Sequence, residues 1–468
     1  MHLPADYMPQ KVSVLGAARS GIAAAKFLDA RGVRVFLSDA CPAERLERTL
    51  AANGCGGFPH EAGGHTARVL DADVIVLSPG VPSNLPILLE ASKAGLAVWS
   101  EIELAFRFTK GTYLAVTGST GKSTTVSFLG SILEASGKEY AVAGNIGIPL
   151  IGVVPALSKD AFVAAEVSSF QLETIDCFRP KVSIVLNLLK NHLDRYESEQ
   201  AYYDAKKNIA GNATKEDFAV LCAADPLLVE WARSLEKRTN VVWFGSTVDE
   251  RSRDDARDGV WFDGRAIVST VGGKKRPLLE VASMKLRGRH NYENAAAAAA
   301  AAQLAGIGDA AIAAGLCAFS GLEHRLEFVA EAGGVRYYND SKSTTAESVA
   351  CAVEAFDRNV FLIAGGRDKG CDFGAIKKSI ARHVKGVRLI GEAAGRMAGE
   401  WAGSSEIATS GSLEEAIESV AAEAAAGDVV VFSPGCSSFD MFKNFEHRGN
   451  VFKDLVKRLA PGKEGRHA

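Results

Sequence analysis

The sequence predicts an α/β protein of about three domains built on parallel sheets, and two observations carry that expectation. Short apolar runs alternate with helical patterns along the whole chain, as βα units require. The length, 468 residues, exceeds what one hydrophobic core serves. The elements fall into blocks at residues 1–102, 103–320 and 321–468, and no internal repeat runs through them.

The first block opens on a buried strand at 12–15, which Gly16-Ala17-Ala18-Arg19-Ser20-Gly21 turns into a helix through Ala30. A strand at 33–37 ends at Ser38-Asp39, and another at 73–77 ends at Ser78-Pro79-Gly80. The turn approximates GxGxxG, with Ala18 in place of the middle glycine, and an acidic residue such as Asp39 closing the second strand suits a dinucleotide. One turn of this kind does not fix a ligand.

The second block opens on a strand at 113–116 that runs into Thr117-Gly118-Ser119-Thr120-Gly121-Lys122-Ser123-Thr124, followed by a helix through Ala135. A glycine-rich turn between strand and helix lets backbone N–H groups face phosphate oxygens, and the helix N-terminus adds partial positive charge. Lys122 would reach the terminal phosphates, and the Ser123 hydroxyl would ligate Mg²⁺. The strict GxxxxGK(S/T) pattern wants glycine where this chain has Val116. No Asn-Lys-x-Asp segment follows, which argues against a GTPase; the loop alone does not separate a kinase from a ligase.

Further strands at 162–165 and 182–186 end at Glu166 and Asn187, where ligand sites of open α/β sheets lie. Glu166 is either an oxygen ligand for Mg²⁺ or a carboxylate placed at a helix N-terminus. His192, read alone, is a loop histidine, and Lys206, with Lys207 beside it, a solvated helix residue. Residues 251–259 are charged and read as a loop. A helix at 291–304 closes the block, its alanine run at 295–302 packing against other elements because alanine favours helix and permits close approach. In the third block, strands at 335–338, 360–363, 387–390 and 429–432 alternate with helices, again a doubly wound pattern.

Composition sets the bounds. With 47% hydrophobic and 23% charged residues, a net charge of −3 and no long basic run, neither nucleic acid nor an anionic membrane is an expected partner. No stretch approaches roughly 18 apolar residues, and the N-terminus lacks a leader pattern, so the cytoplasm is expected. The eight cysteines form no CxxC pair and read as small buried hydrophobes.

Several segments, in order, resemble the Mur ligase family: the loop 117–124, Gly144-Asn145-Ile146-Gly147, Glu166-Val167-Ser168-Ser169, His192-Leu193-Asp194, His290-Asn291-Tyr292-Glu293-Asn294, Gly321-Leu322-Glu323-His324-Arg325 and Asn339-Asp340-Ser341-Lys342-Ser343-Thr344. The resemblance spans Val12 to about Leu459. Within the family, Asn339-Asp340-Ser341-Lys342, Gly365-Gly366-Arg367-Asp368-Lys369-Gly370 and Ser433-Pro434-Gly435-Cys436-Ser437-Ser438-Phe439-Asp440 are most similar to the members that add D-glutamate.

The resemblance implies an N-terminal Rossmann-like UDP-binding domain, a central P-loop ATPase-like domain and a C-terminal Rossmann-like domain. It implies an ATP-dependent amide ligase adding D-glutamate to UDP-N-acetylmuramoyl-L-alanine through an acyl phosphate, in peptidoglycan precursor synthesis. ATP would meet Gly118, Ser119, Thr120, Gly121, Lys122, Ser123 and Thr124, with Asn291, Asn294, Arg325 and Asp340 also on the nucleotide. Lys122, Glu166, His192 and Lys206 are the implied catalytic residues. Two Mg²⁺ ions are implied, held by Ser123, Glu166, His192 and Lys206, the last as a carbamate. Arg19, Ser20, Asp39, Ser78, Gly80, Asn145 and His192 would face the UDP-substrate. D-Glutamate, with its two carboxylates, would find cations and hydroxyls at Lys342, Thr344, Lys369 and Ser438, beside Phe439. A monomer is expected, with the two small-molecule substrates as its partners. Two alternatives stay open: another amide ligase of the same architecture, and a dinucleotide-dependent oxidoreductase joined to a P-loop module.

Overall fold

The computed structural model describes residues 3–4, 6–190, 195–248, 257–356, 359–368 and 370–459. They form two compact units, Met1–Phe319 and Ser320–Ala468.

The first unit holds two sheets. Strands β1 (Lys11–Leu15), β2 (Arg34–Asp39), β3 (His60–Ala62), β4 (Val74–Leu77) and β5 (Ala97–Ser100) form a parallel sheet in the order β3-β2-β1-β4-β5. Val12, Val14, Val74 and Val76 are fully or almost fully buried, the mark of a parallel sheet covered on both faces. Chain connections leave β1 and β4 in opposite directions. The crevice at that switch point lies between the loops carrying Arg19 and Gly80.

The second sheet comprises β6 (Thr112–Thr117), β7 (Tyr140–Gly144), β8 (Phe162–Glu166), β9 (Val182–Val185), β10 (Phe218–Cys222), β11 (Asn240–Ser246), β12 (Gly259–Phe262), β13 (Ala266–Ser269) and β14 (Arg276–Glu280). Their order is β14-β13-β12-β11-β10-β9-β6-β8-β7. Here the switch point falls between β6 and β9, so the loops after Thr117 and after Val185 stand side by side, with Glu166 at the end of the next strand. The expected parallel arrangement fails at the far edge, where β12, β13 and β14 form an antiparallel meander. The reason is connection length. Three residues join β12 to β13 and six join β13 to β14, whereas a parallel crossover needs about a dozen.

The helix Arg289–Leu304 buries every alanine from 295 to 302 completely. It packs against the helix Lys122–Ala135 and across β9 to β13. Contrary to the expectation from the sequence, it does not close the block: a further helix, Asp309–Ala318, follows after Gly308. Ser131 Oγ donates to the Gly315 carbonyl at 2.8 Å, locking this helix onto Lys122–Ala135.

The second unit has one sheet of β15 (Glu327–Ala332), β16 (Val335–Asn339), β17 (Val360–Gly365), β18 (Val384–Ile390), β19 (Glu406–Thr409) and β20 (Val429–Phe432), ordered β15-β16-β20-β17-β18-β19. All pairs are parallel except β15 with β16. The adjacent strands β16, β20 and β17 therefore deliver the loops starting at Asp340, Ser433 and Gly366 to one edge.

The eight cysteines are free, but only Cys55 and Cys436 are buried, and Cys351 is exposed. The expectation of uniformly buried cysteines fails because Cys41, Cys177 and Cys371 sit in loops, Cys222 ends β10, and Cys317 and Cys351 lie on incompletely covered helix faces. Among the described residues, no helix is long and apolar enough to cross a membrane.

Candidate active site

The phosphate loop is shaped by its glycines. Val116 is still inside β6 and fully buried, so the turn starts at Gly118, whose φ of +152° excludes a side chain. Gly121, at φ +83°, caps the following helix, and a Cβ there would come 2.7 Å from Asn294 Oδ1. Asn294 thus rests against the loop. Asn291 does not: its Nδ2 donates to the Arg287 carbonyl at 2.7 Å.

Two of the loop's donors are already engaged. The N–H groups of Ser119 and Thr120 both donate to Asn187 Oδ1 at 2.9 Å, and Ser119 Oγ exchanges hydrogen bonds with the Leu189 backbone. The expectation that the whole loop faces phosphate is therefore narrowed. The first-turn N–H groups of the helix, at Lys122, Ser123 and Thr124, are the ones that a helix leaves without intrahelical acceptors.

Two lysines converge on one carbonyl. Lys122 Nζ donates to the Gly118 oxygen at 2.8 Å, and Lys206 Nζ reaches the same oxygen at 2.9 Å. Read alone in the sequence, Lys206 belongs on a solvated face. The helix Glu199–Lys207 instead turns Tyr202, Tyr203, Ala205 and Lys206 inward, and Lys206 is 1% exposed, 4.5 Å from the Tyr202 ring centre. Burial, reinforced by the neighbouring Lys122 ammonium, pulls the Lys206 amine down to about 7.

Glu166 ends β8 and is paired with Val116 on one side and Gly144 on the other. It is 3% exposed, and Asn145 Nδ2 donates to its Oε1 at 2.9 Å. Oε2 is buried and has no hydrogen-bond partner among the described residues. An orphaned carboxylate oxygen is costly unless something else satisfies it, and a cation does so. With the buried Ser123 hydroxyl it makes the hard-oxygen donor set that Mg²⁺ takes, so the residues present fit that ion. His192 lies outside the described residues.

On the β1–β4 side, Arg19 is exposed and its Nη1 donates to the Gly147 carbonyl at 3.1 Å, linking the two sheets' loops. Ser20 lies half-buried in the first helical turn, and Gly80 is exposed. Asp39 and Ser78 act on the protein itself. Asp39 accepts from the Ala17 and Cys41 N–H groups at 2.6 and 2.8 Å, and Ser78 Oγ donates to the Gly16 carbonyl at 2.8 Å. Burial alone would raise the Asp39 carboxyl, but those backbone donors outweigh it and hold it low. Each of its oxygens accepts one backbone donor and so helps fasten the turn.

The sequence did not single out Arg195. Its Nη1 and Nη2 donate to the Pro79 and Val81 carbonyls at 3.0 and 3.3 Å, and its guanidinium stacks 3.8 Å from the Phe170 ring centre. Glu173 accepts from Ser83 Oγ at 2.5 Å and from the Tyr196 hydroxyl. This network straps the Gly80 loop to the central sheet. Arg195 follows His192-Leu193-Asp194 directly, but nothing in spacing alone reveals a reach back to residue 79.

In the second unit, Asp340 is buried and accepts from Ser433 Oγ at 2.8 Å and from the Leu326 N–H at 3.2 Å. Burial pushes its carboxyl up to about 7 in spite of those donors and the Arg325 charge. Lys342 Nζ stands 5.8 Å from the Phe445 ring centre. Arg325 and Thr344 are half-buried and Ser438 is buried, while Phe439 is 61% exposed. Lys369 lies outside the described residues. The three loops are laced by backbone bonds, from the Gly435 N–H to the Ser343 carbonyl at 3.1 Å and from the Arg367 N–H to the Ser437 carbonyl at 2.9 Å.

Comparison with known proteins covers the chain in three pieces. Residues 10–100 match the MurD-like N-terminal domain of Mur ligases, residues 116–302 the Mur ligase middle domain, and residues 324–436 the Mur ligase glutamate ligase domain. The chain is 41% identical over 449 residues to the UDP-N-acetylmuramoylalanine--D-glutamate ligase of Acidobacterium capsulatum, covering 96% of each chain. It is 38% identical over 456 residues to the enzyme of the same name from Koribacter versatilis, covering 97% of this chain and 99% of that one. Among solved structures it resembles MurF from Acinetobacter baumannii, with a TM-score of 0.61 at 17% identity over 95% of this chain and 93% of that one. It also resembles a pseudomurein peptide ligase type C from Methanothermus fervidus, with a TM-score of 0.58 at 18% identity over 96% of this chain and 100% of that one. These last two likenesses concern the fold.

Proposed function

The chain belongs to the Mur ligase family, and from that premise we propose that it adds D-glutamate to UDP-N-acetylmuramoyl-L-alanine through an acyl phosphate, releasing ADP and phosphate in peptidoglycan precursor synthesis. The modules of this chemistry would be residues 1–102 for the UDP-substrate, 103–320 for ATP and 321–468 for the amino acid. The enzyme acts as a monomer in the cytoplasm.

The observation that carries the chemical part is the convergence of Lys122 and Lys206 on the Gly118 carbonyl. A substrate carboxylate must approach the polyanionic end of ATP, so positive charge has to gather there first. Lys122 supplies part of it from the loop itself. Ser123 and Glu166 would hold one Mg²⁺ and His192 would help hold a second. Bound metal would cancel the remaining repulsion between carboxylate and triphosphate. Lys206 fits as the carbamate: a buried amine whose proton is easily lost can bond its nitrogen to the carbon of CO₂, and the product offers oxygen donors where an ammonium offered none.

The steps then follow. The L-alanine carboxylate oxygen attacks the terminal phosphorus and ADP leaves. The D-glutamate amine attacks the resulting carbonyl carbon, and the carbon–oxygen bond to phosphate breaks as the amide forms. Arg19, Ser20, Asp39, Ser78, Gly80, Asn145 and His192 would hold the UDP-substrate; Asn291, Asn294, Arg325 and Asp340 would flank ATP. Lys342, Thr344, Lys369, Ser438 and Phe439 would take D-glutamate.

Oxygen-18 in the substrate carboxylate should appear in the phosphate released, and ADP release should depend on D-glutamate. Unlabelled phosphate after turnover would reject the acyl phosphate. ADP release driven by a diamino acid and not by D-glutamate would reject the amino-acid assignment.

A further inference from the structure

Beneath the loops after β16, β17 and β20 lies a guanidinium that neither the motif pattern nor the mechanism above uses. Arg448, in the helix Phe445–Leu459, is 1% exposed. Its Nε donates to Ser341 Oγ at 3.1 Å, its Nη2 to the Ser341 carbonyl at 2.8 Å, and its Nη1 to the Cys436 carbonyl at 3.1 Å. Ser341 Oγ in turn donates to the Phe445 carbonyl at 2.8 Å, tying the loop back to the same helix. The third loop touches the group as well, since a Cβ on Gly366 would come 3.2 Å from Nη1. One side chain thus meets all three loops.

The acceptors are all uncharged. Among the described residues Arg448 forms no ion pair, and Asp340 and Asp440 act on it only from beyond ion-pair contact. Burial pulls it down to about 10, which still leaves it charged at neutral pH. Holding a cation inside a protein with no carboxylate in contact is costly. A neutral amide could serve the two carbonyls without that cost. No carboxylate among the described residues touches it, so its positive potential is left to act through the loops it grips, and the flanking residues Lys342 and Ser438 sit one and two positions from the atoms it holds.

We infer that Arg448 is the positioning residue of the amino-acid pocket: it fixes the Ser341 and Cys436 carbonyls, hence Lys342 and Ser438, and its buried charge biases that pocket toward a dicarboxylate. The inference rests on placing D-glutamate at Lys342 and Ser438, as proposed above.

The test is steady-state kinetics of Arg448→Gln and Arg448→Lys in the full chain, varying D-glutamate, ATP and the UDP-substrate in turn. Arg448→Gln should raise KM for D-glutamate by about tenfold or more while moving the other two KM values by less than about twofold. Arg448→Lys, which keeps charge but loses the planar fork, should recover part of that, leaving the D-glutamate KM about threefold above the parent enzyme. A D-glutamate KM unchanged in Arg448→Gln overturns the inference, as does an equal loss across all three substrates with no recovery in Arg448→Lys. Should the glutamine variant fail to fold, Arg448→Lys decides alone, a rise of about threefold confined to D-glutamate supporting the role and a parental value overturning it. Ser438→Ala separates the two levels. If it raises the D-glutamate KM and the Arg448 variants do not, only this inference falls. If none of them moves it, the placement of D-glutamate falls.

Discussion

In the first unit a lysine, Lys206, lies buried beside the phosphate loop; in the second an arginine, Arg448, lies buried beneath the loops that carry Lys342 and Ser438. Both are 1% exposed and both donate to backbone carbonyls. Their chemistry diverges from there. Burial brings Lys206 to about 7, so it can shed its proton and become something else, whereas Arg448 stays at about 10 and keeps its charge. A desolvated amine suits a site that needs conversion to an oxygen donor, and a desolvated guanidinium suits one that needs permanent positive potential. The same burial produces opposite outcomes because the two groups start from different basicity.

The contrast breaks most directly at Lys206. Lys206→Ala should lower turnover by ~10²-fold or more, and a short carboxylate added to the assay should restore part of it, as followed by ADP release. Lys206→Arg preserves the charge but cannot form a carbamate, and should be equally inactive. A parental rate in either variant would end the metal-bridging role.

Next in size, Glu166→Gln removes the anionic character of the orphaned Oε2 while keeping shape. The Mg²⁺ concentration giving half-maximal rate should rise by roughly tenfold or more. An unchanged Mg²⁺ titration would assign that carboxylate to some other task.

A buried acid sharpens the comparison from the other sign. Burial raises Glu101 from 4.5 to about 7, only partly relieved by the Ile151 N–H at 2.7 Å, and its Oε2 has no partner among the described residues. Between pH 4.5 and 7 the folded state keeps a proton that the unfolded chain has lost, so stability falls as pH rises through that window. Above 7 the full penalty, on the order of 3 kcal/mol, is present. Glu101→Gln should flatten this contribution to the dependence of melting temperature on pH. A slope identical to that of the parent protein would show that Glu101 does not cause it.

The smallest effect concerns Asn187. Replacing it with alanine removes the acceptor shared by the Ser119 and Thr120 N–H groups, and the KM for ATP should rise by about threefold to tenfold with little change in that for D-glutamate. An ATP KM that stays put would mean the loop holds its shape without that anchor.

The phosphate loop was legible because its chemistry is local: strand, glycines, Lys122 and Ser123 are contiguous. Strand ends at Glu166 and Asn187 were likewise readable from the apolar runs before them. Arg448 was not, and Lys206 was reached only through the family resemblance, since read by itself it belonged on a solvated face. Whether Lys206 or Lys207 points inward depends on how a nine-residue helix is rotated against its neighbours, and two adjacent lysines carry no record of that phase. Arg448 grips residues more than a hundred positions away at Ser341, a contact that only the fold creates. The meander β12–β14 was missed for a different reason. Short apolar strands such as Val260-Trp261-Phe262 look alike whether paired parallel or antiparallel, and only the brief connections around Gly264 distinguish them.

The alanines at 295–302 have one more consequence. Because each ends in a single methyl group and none is exposed, they work as shims on every side, letting their helix stand close both to the one leaving the phosphate loop and to the sheet. Asn294, immediately before them, inherits its seat against Gly121 from that thickness. Ala298→Val adds two methyl-sized steps one helical turn further on. In so close a fit it should lower the melting temperature, and a rise in the KM for ATP beside that loss would show that the displacement reaches Asn294.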